Sequence, residues 1–291
     1  MDVVLTIAGI AVIALGLWDM FHSLLHPEGQ GTLSHLMLAG VWKASSMMRH
    51  RLGSAAGPGG MVTVILMWVL LQSVGWVLVY LPRIPEGFSY PGVDPANYSG
   101  VAEALYMSFT SLSTVGFGDM VAIDPWTRIA SPLQALTGFA LLTAALTWFT
   151  QVYPPLARRR ALALELSNLR RAGYVDKLGT LDPTVASGLL DGVARQAELA
   201  SIDFIQHSES YFFVEVHPDL SLARQLPHAL EFRDAARRVQ SPEVQLATQR
   251  LSLSLDRLGS VLNRFVFASG RDLEAIFSAY AADHEKSHSS S

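Results

Sequence analysis

The hexapeptide TVGFGD, residues 114–119, decides how the rest of the chain is read. Two glycines alternate with Val115 and Phe117, a threonine precedes them and an aspartate follows. Stretches apolar enough to cross a membrane flank it on both sides, Met61–Leu81 and about Thr127–Tyr153. Paired glycines disfavour a helix. The segment therefore carries backbone N–H and C=O groups that no helix satisfies, in a part of the chain where lipid is the expected solvent.

The 291 residues are 50% hydrophobic and only 16% charged, with a mean hydropathy of +0.30. That is more apolar than an ordinary soluble domain. The excess lies in the first half, so a membrane part to about residue 153 and a polar part beyond it are expected. A hydrocarbon core of roughly 30 Å takes about 20 helical residues. Three runs meet that length: Val3 to about Leu25, Met61–Leu81, and about Thr127–Tyr153. The first run lacks the basic start and cleavage site of a signal peptide. A net charge of −4 gives no indication of nucleic-acid binding, and with no cysteine, disulfides and thiolate chemistry are excluded.

Basic residues orient the spans. Lys43, Arg49 and Arg51 follow the first span, and Arg158–Arg160 follow the third; both groups are expected in the cytoplasm. The N-terminus and the acidic segment 82–125 then lie outside, in a plasma membrane of prokaryotic type. In the linker 27–60, Leu33, Leu36, Met37, Val41, Ala44 and Met48 fall at helical spacing. Two readings stay open: a helix on the inner membrane surface with Trp42 as anchor, or a helix packed on a neighbouring domain. GSAAGPGG, 53–60, reads as a hinge before the second span.

Between the second and third spans, residues 101–113 read as a helix too short to cross the bilayer. TVGFGD then returns the chain outward, which makes a re-entrant loop. Backbone of this kind survives at membrane depth only where it is buried in protein or lines a water-filled path. Alternating left- and right-handed residues turn successive carbonyls to one side, so those of Thr114, Val115, Gly116 and Phe117, with the Thr114 hydroxyl, are expected to form a ladder. Neutral oxygen dipoles suit a dehydrated hard cation, and the helix before them aims its negative end below the ladder.

TVGFGD in this setting resembles the filter signature of potassium channels in the tetrameric P-loop cation-channel superfamily, whose carbonyl rings are built on the close variant TVGYG. The resemblance covers about residues 61–155: outer helix 61–81, pore helix 101–113, filter 114–119 and inner helix 127–153. It implies K⁺ as transported ion at Thr114, Val115, Gly116 and Phe117, and Gly118, Asp119, Thr110, Tyr106 and Met107 as filter support. It also implies a homotetramer. Phe117 replaces the commoner tyrosine, Met107 a frequent tryptophan, and Thr110 a glutamate found in some members. The expectation is a filter held more by packing of Phe117 on Tyr106 and Met107 than by hydrogen bonds, and more prone to collapse at low potassium.

In the third span, Gly138 reads either as a bending point or as a close-packing position. Phe139, Leu142, Leu146 and Thr150 share one face, the candidate pore lining, with Leu146 as candidate gate. Pro154-Pro155 is expected to end the helix. At the inner end of the first span, Asp19, His22 and His26 fall on one face. Metal binding, pH sensing and a polar helix end bonded to the linker are the three readings. Neither the first nor the second span has the spaced arginines of a voltage sensor. Residues 156–285 read as a helical cytoplasmic domain of unknown ligand, with Asp182 and Ser241 as helix caps ahead of Pro183 and Pro242. Residues 203–220 are open to helix or strand, and 286–291 read as a disordered tail.

The fold class is an all-α membrane protein: a two-helix module with a re-entrant pore loop, one added N-terminal transmembrane helix and a helical cytoplasmic domain. The function expected is a potassium channel, with no cofactor and no enzymatic site. The alternatives are a weakly selective monovalent cation channel and a non-conducting membrane sensor.

Overall fold

The computed structural model describes residues 1–24, 31–47, 53–266 and 272–284. The expectations for His26, Pro27, Gly29, Met48, Arg49, Arg51 and the tail 286–291 lie outside the described residues. The protein is an all-α membrane protein with one two-stranded sheet, β1 (Phe88–Ser89) against β2 (Val121–Ala122). Its helices are α1 (Asp2–Leu24), α2 (Thr32–Met47), α3 (Ala56–Tyr80), α4 (Gly100–Leu112), α5 (Pro125–Arg171), α6 (Tyr174–Lys177), α7 (Pro183–Gln206), α8 (Leu222–Ala236), α9 (Pro242–Val266) and α10 (Leu273–His284). Among the described residues, three helical stretches are long and apolar enough to cross a membrane: Asp2–Leu24, Gly53–Arg83 and Pro125–Arg171. The chain forms two compact units, one of Met1–Met37 with Val62–Thr150, the other of Leu38–Met61 with Gln151–Ser291.

In the first unit α1 lies against α3 along a seam of glycines. A Cβ on Gly9 would stand 2.5 Å from the Gly75 carbonyl oxygen, and one on Gly16 would stand 2.8 Å from the Gln72 amide nitrogen. In lipid, apolar side chains gain little by leaving their solvent, so small residues that let backbones approach supply the packing. Gln72 adds a hydrogen bond from Nε2 to the Ile13 carbonyl at 3.1 Å.

Asp19 is the polar joint of this unit. It is 2% exposed. Its carboxylate accepts from the Leu33 and Ser34 amides at 2.8 and 3.2 Å, from the Ser34 hydroxyl, and from the Trp68 indole N–H at 2.9 Å. The first amides of a helix have no partner inside it. Asp19, on α1, therefore caps α2 across the chain and holds α3 as well. This is the polar helix end bonded to the linker. His22 turns to its own helix, with Nδ1 3.0 Å from the Trp18 carbonyl, and stacks near Trp18 and Phe21. No group of three metal-ligating side chains occurs among the described residues.

The second unit corrects four expectations. Trp42 is no interfacial anchor: it is buried, donates to Asp283 at 3.0 Å, and packs on Tyr211, Phe212 and His284. The second reading of α2 holds there, because Leu38, Trp42 and Ser45 are buried while Leu36 and Ala44 are exposed. The glycines of 56–60 are helical, not a hinge; a Cβ on Gly57 would strike the Phe213 ring. Helix α5 does not stop at Pro154-Pro155 but runs to Arg171. Proline keeps a helical φ and costs about 3 kcal/mol through the lost bond and ring clash, and the turns beyond are held by packing. Leu156, Leu162 and Leu166 are buried. Arg158 pairs with Asp203, Arg159 donates to the Ser210 and Phe213 carbonyls, and Arg160 pairs with Glu215. Residues 203–220 are neither a long helix nor a strand past Gln206, but 3-10 turns at Ser208–Phe212 and Pro218–Leu220.

The caps form as expected: Asp182 accepts from the Thr184 amide at 2.9 Å, and Ser241 from that of Val244 at 3.5 Å. Alanines at 186, 194, 197 and 200 of α7 are buried, as are Leu251, Leu255, Leu258 and Leu262 of α9. Arg250 of α9 bonds Glu198 and Asp191 of α7 at the rim.

Removing the α1 carboxylate leaves four donors without their acceptor. Asp19→Ala is expected to destabilise the protein by about 2–4 kcal/mol, each orphaned group costing roughly 1–3 kcal/mol. Chemical unfolding of the full chain in detergent checks this, with Asp2→Ala as the exposed control. A second expectation concerns acid. Burial pushes the His284 imidazole down to about 4, and Arg159 works in the same sense, against the pull of the Tyr211 and Tyr280 carbonyls and of Asp283. The unfolded chain takes up a proton near pH 6.5. The His284 contribution is then fully present above that pH and lost as pH falls toward about 4. His284→Gln is expected to flatten this part of the acid-unfolding slope.

Candidate ion pathway

Helix α4 sets the pathway up. Ser99 caps it, accepting from the Ala102 amide at 3.3 Å. It ends at Leu112, and Ser113 continues with a helical φ. Its last carbonyls then receive the amides of the segment that follows. Thr114 N–H donates to Ser111 at 3.0 Å, Val115 to Thr110 at 3.0 Å, and Gly116 to the same Thr110 carbonyl at 3.4 Å. With the amides drawn back to α4, the carbonyls of Thr114, Val115, Gly116 and Phe117 accept no hydrogen bond among the described residues.

The backbone alternates in hand. Thr114, Gly116 and Gly118 have φ of 59°, 53° and 84°, and Val115 and Phe117 between them do not share this region. Thr114 is the only non-glycine residue with positive φ among the described residues. A β-branched residue there is a conformational outlier of about 1–3 kcal/mol, so the hydrogen bonds to α4 over-determine it. A Cβ on Gly116 or Gly118 would meet nothing within 4 Å in the protomer. These glycines answer a demand of conformation, not of space.

The Tyr106 hydroxyl donates to the Asp119 carboxylate, whose two oxygens lie 2.7 and 2.6 Å from it. This corrects the expectation that packing outweighs hydrogen bonding here. Phe117 is 73% exposed in the protomer, whereas Met107 is buried among Trp76, Tyr80, Ala104 and Met120. The phenol moved one partner along: Tyr106 on α4 supplies the hydroxyl that Phe117 lacks. Thr110 turns its own hydroxyl back to the Tyr106 carbonyl at 2.9 Å.

Behind the ladder runs a buried polar chain that the sequence reading missed. Tyr80 of α3 donates to Gln134 of α5 at 2.8 Å. Gln134 Nε2 donates to the Ser108 carbonyl and hydroxyl at 2.9 and 2.8 Å, and the Ser108 hydroxyl donates to the Ser73 carbonyl at 3.2 Å. The signal was there: a glutamine in an apolar span needs a partner. The chain ties α3, α4 and α5 together and fixes the height of α4.

Gly138 is a close-packing position. A Cβ there would stand 1.9 Å from the Leu112 carbonyl oxygen, and α5 is unbroken through it. Phe139, Leu142, Leu146 and Thr150 are all exposed on the protomer. Thr150 bonds its own helix, to the Thr147 carbonyl at 2.8 Å. The candidate pathway is thus assembled from α3, α4, the 114–119 segment and α5; Asp19 lies at the α1–α2 joint.

Residues 63–153 match the ion channel family Ion_trans_2. The uncharacterized membrane protein YdjJ of Bacillus subtilis (strain 168) is 23% identical over 171 residues, covering 57% of this chain and 49% of that protein. Two-pore potassium channel 5 of Arabidopsis thaliana is 31% identical over 84 residues, 27% of this chain and 20% of that protein. The chain thus spans about half, or less, of the length of the curated relatives it matches. No solved structure matches it.

Gly138→Ala is expected to lower stability by about 1–3 kcal/mol, because backbone, not a movable side chain, occupies the space. Thermal unfolding in detergent reads this, and Gly40→Ala, where no atom lies within 4 Å, is the neutral control. Together the match over residues 63–153 and the two relatives support an ion channel.

Proposed function

We propose that this protein is a potassium channel in which four copies of the 114–119 segment enclose one conduction path. The observation that carries the proposal is the left-handed backbone at Thr114, Gly116 and Gly118, which leaves four successive carbonyls without partners. Oxygens so arranged take the place of water around a travelling K⁺. Thr114 adds its hydroxyl at the inner end. Helix α4 points its C-terminal end at the ion's position below the ladder, which favours positive charge there.

One protomer supplies one loop, and a closed ring of carbonyls needs symmetric copies. In a lone protomer the unpaired carbonyls, Val115 and Phe117 would face lipid, at several kcal/mol for each unsatisfied group. Fourfold assembly in the bilayer removes that cost by turning the ladder to a water-filled axis. The exposed face of α5 with Phe139, Leu142, Leu146 and Thr150 then lines the path below, and a ring of Leu146 closes it by dewetting. The N-terminus lies outside and the second unit in the cytoplasm of a prokaryotic-type cell. The Tyr106–Asp119 bond anchors the outer mouth.

Flux into K⁺-loaded liposomes by the purified chain, with reversal potentials in mixed K⁺ and Na⁺, tests this reading. The expected result is K⁺ over Na⁺ selectivity, with flux lost in Gly116→Asp and reduced at least about tenfold in Gly116→Ala, since alanine avoids positive φ. Equal permeability to both ions indicates the weakly selective channel. No flux above empty liposomes indicates the non-conducting sensor.

A further inference from the structure

The three arginines that follow Pro155 on α5 are all received by one short segment of the second unit. Arg158 meets the two oxygens of Asp203 at 2.8 and 2.5 Å, and Arg160 meets Glu215 at 2.5 Å. Arg159 donates to the Ser210 and Phe213 carbonyls at 2.7 and 2.9 Å. Arg159 and Asp203 are buried. A guanidinium set on fixed oxygens is held in direction as well as in charge. Residues 203–215 therefore grip the first turns of α5 beyond its proline pair.

His207 stands at the centre of this grip. It is the C-cap of α7, where its amide donates to the Asp203 carbonyl at 2.7 Å and its carbonyl accepts from the Ser210 amide at 2.9 Å. Its backbone thus joins the acceptor of Arg158 to an acceptor of Arg159. Its ring Nδ1 lies 3.4 Å from a carboxylate oxygen of Glu209, which is 5% exposed. An enclosed carboxylate gains most from a cation beside it, and the C-terminal end of a helix favours one too. Glu209, with help from Asp203, holds the His207 imidazole above its ordinary value, against partial burial and Arg158. The charged ring is complete below about pH 6.5 and is lost as pH rises through the raised value. The other cations of the grip are arginines, which keep their charge throughout.

We propose that residues 203–215 form a pH-dependent clasp on α5, pinned by the charged His207–Glu209 pair and loosened when His207 gives up its proton. The clasp stands without the channel reading. Its bearing on conduction rests on that reading, because α5 also carries the candidate pore lining.

The test is hydrogen–deuterium exchange of amides 208–213 in the full-length protein in detergent. It is read at about pH 6 and about pH 9, on either side of the titration, with each rate divided by its intrinsic chemical rate. Wild-type protection is expected to fall about tenfold at the higher pH, the scale of one charge-assisted hydrogen bond. His207→Lys, which keeps a cation across this range, is expected to stay protected at both values, and His207→Gln to be weakly protected at both. Glu209→Gln is expected to flatten the profile as well, and stands in if His207→Gln fails to fold. Equal wild-type protection at the two values overturns the proposal, as does a pH difference that persists in His207→Gln or Glu209→Gln. Liposome K⁺ flux over the same pair of values is expected to change at least about fivefold in the wild type and to stay level in His207→Lys. A pH-dependent flux unaltered in His207→Lys overturns the link to conduction. Absence of flux at both values overturns the channel reading instead, and the exchange profile by itself decides the clasp.

Discussion

A main-chain carbonyl in an apolar setting needs a partner, and the backbone from Thr114 to Phe117 presents four that find none among the described residues. The geometry that produces them is asymmetric: the amides of Thr114, Val115 and Gly116 are spent on the last turn of α4, and only the oxygens stay free. Left-handed residues at every second position make this possible. Much else in the first unit serves that arrangement. Ser99 starts α4, the Gln134–Ser108–Tyr80 chain sets its depth, the bare face of Gly138 lets α5 close on its end, and Tyr106 anchors Asp119 beyond the ladder.

Buried polar side chains act as joints throughout the membrane unit. Asp19 joins three helices, Gln134 joins three more contacts, and Gln72 reaches the backbone of α1. In lipid such groups have no water as an alternative, so each fixes a register that apolar packing alone leaves free. Asp19 also shows why an ionisable residue in a span is not by itself a sensor. Its oxygens are taken up by two amides, a hydroxyl and an indole, and His22 turns to its own helix instead.

The unevenness of the sequence reading has a physical origin. The segment 100–119 was legible because its signal is local: glycine spacing sets φ, and the length of the run before it sets a short helix between two apolar spans. The second unit was legible only as a set of helices. Whether Trp42 meets lipid or Asp283 depends on residues 241 positions away. Whether α5 continues past Pro154 depends on the packing of Leu162 and on acceptors for three arginines. Helical period placed the buried stripe of α2 on the wrong side for the same reason, since several of its faces are apolar enough to be chosen.

By itself the sequence determined the three apolar spans, the short helix between the last two and the identity of the residues whose carbonyls are free, because length, hydropathy and glycine placement act within a few residues. Only the tertiary structure decided that Tyr106 holds Asp119, that Gly138 is a contact and not a bend, and that Asp19 is a cap. Each of these is a distance between groups remote along the chain, and such distances are set by how whole helices pack, which no single stretch of residues encodes.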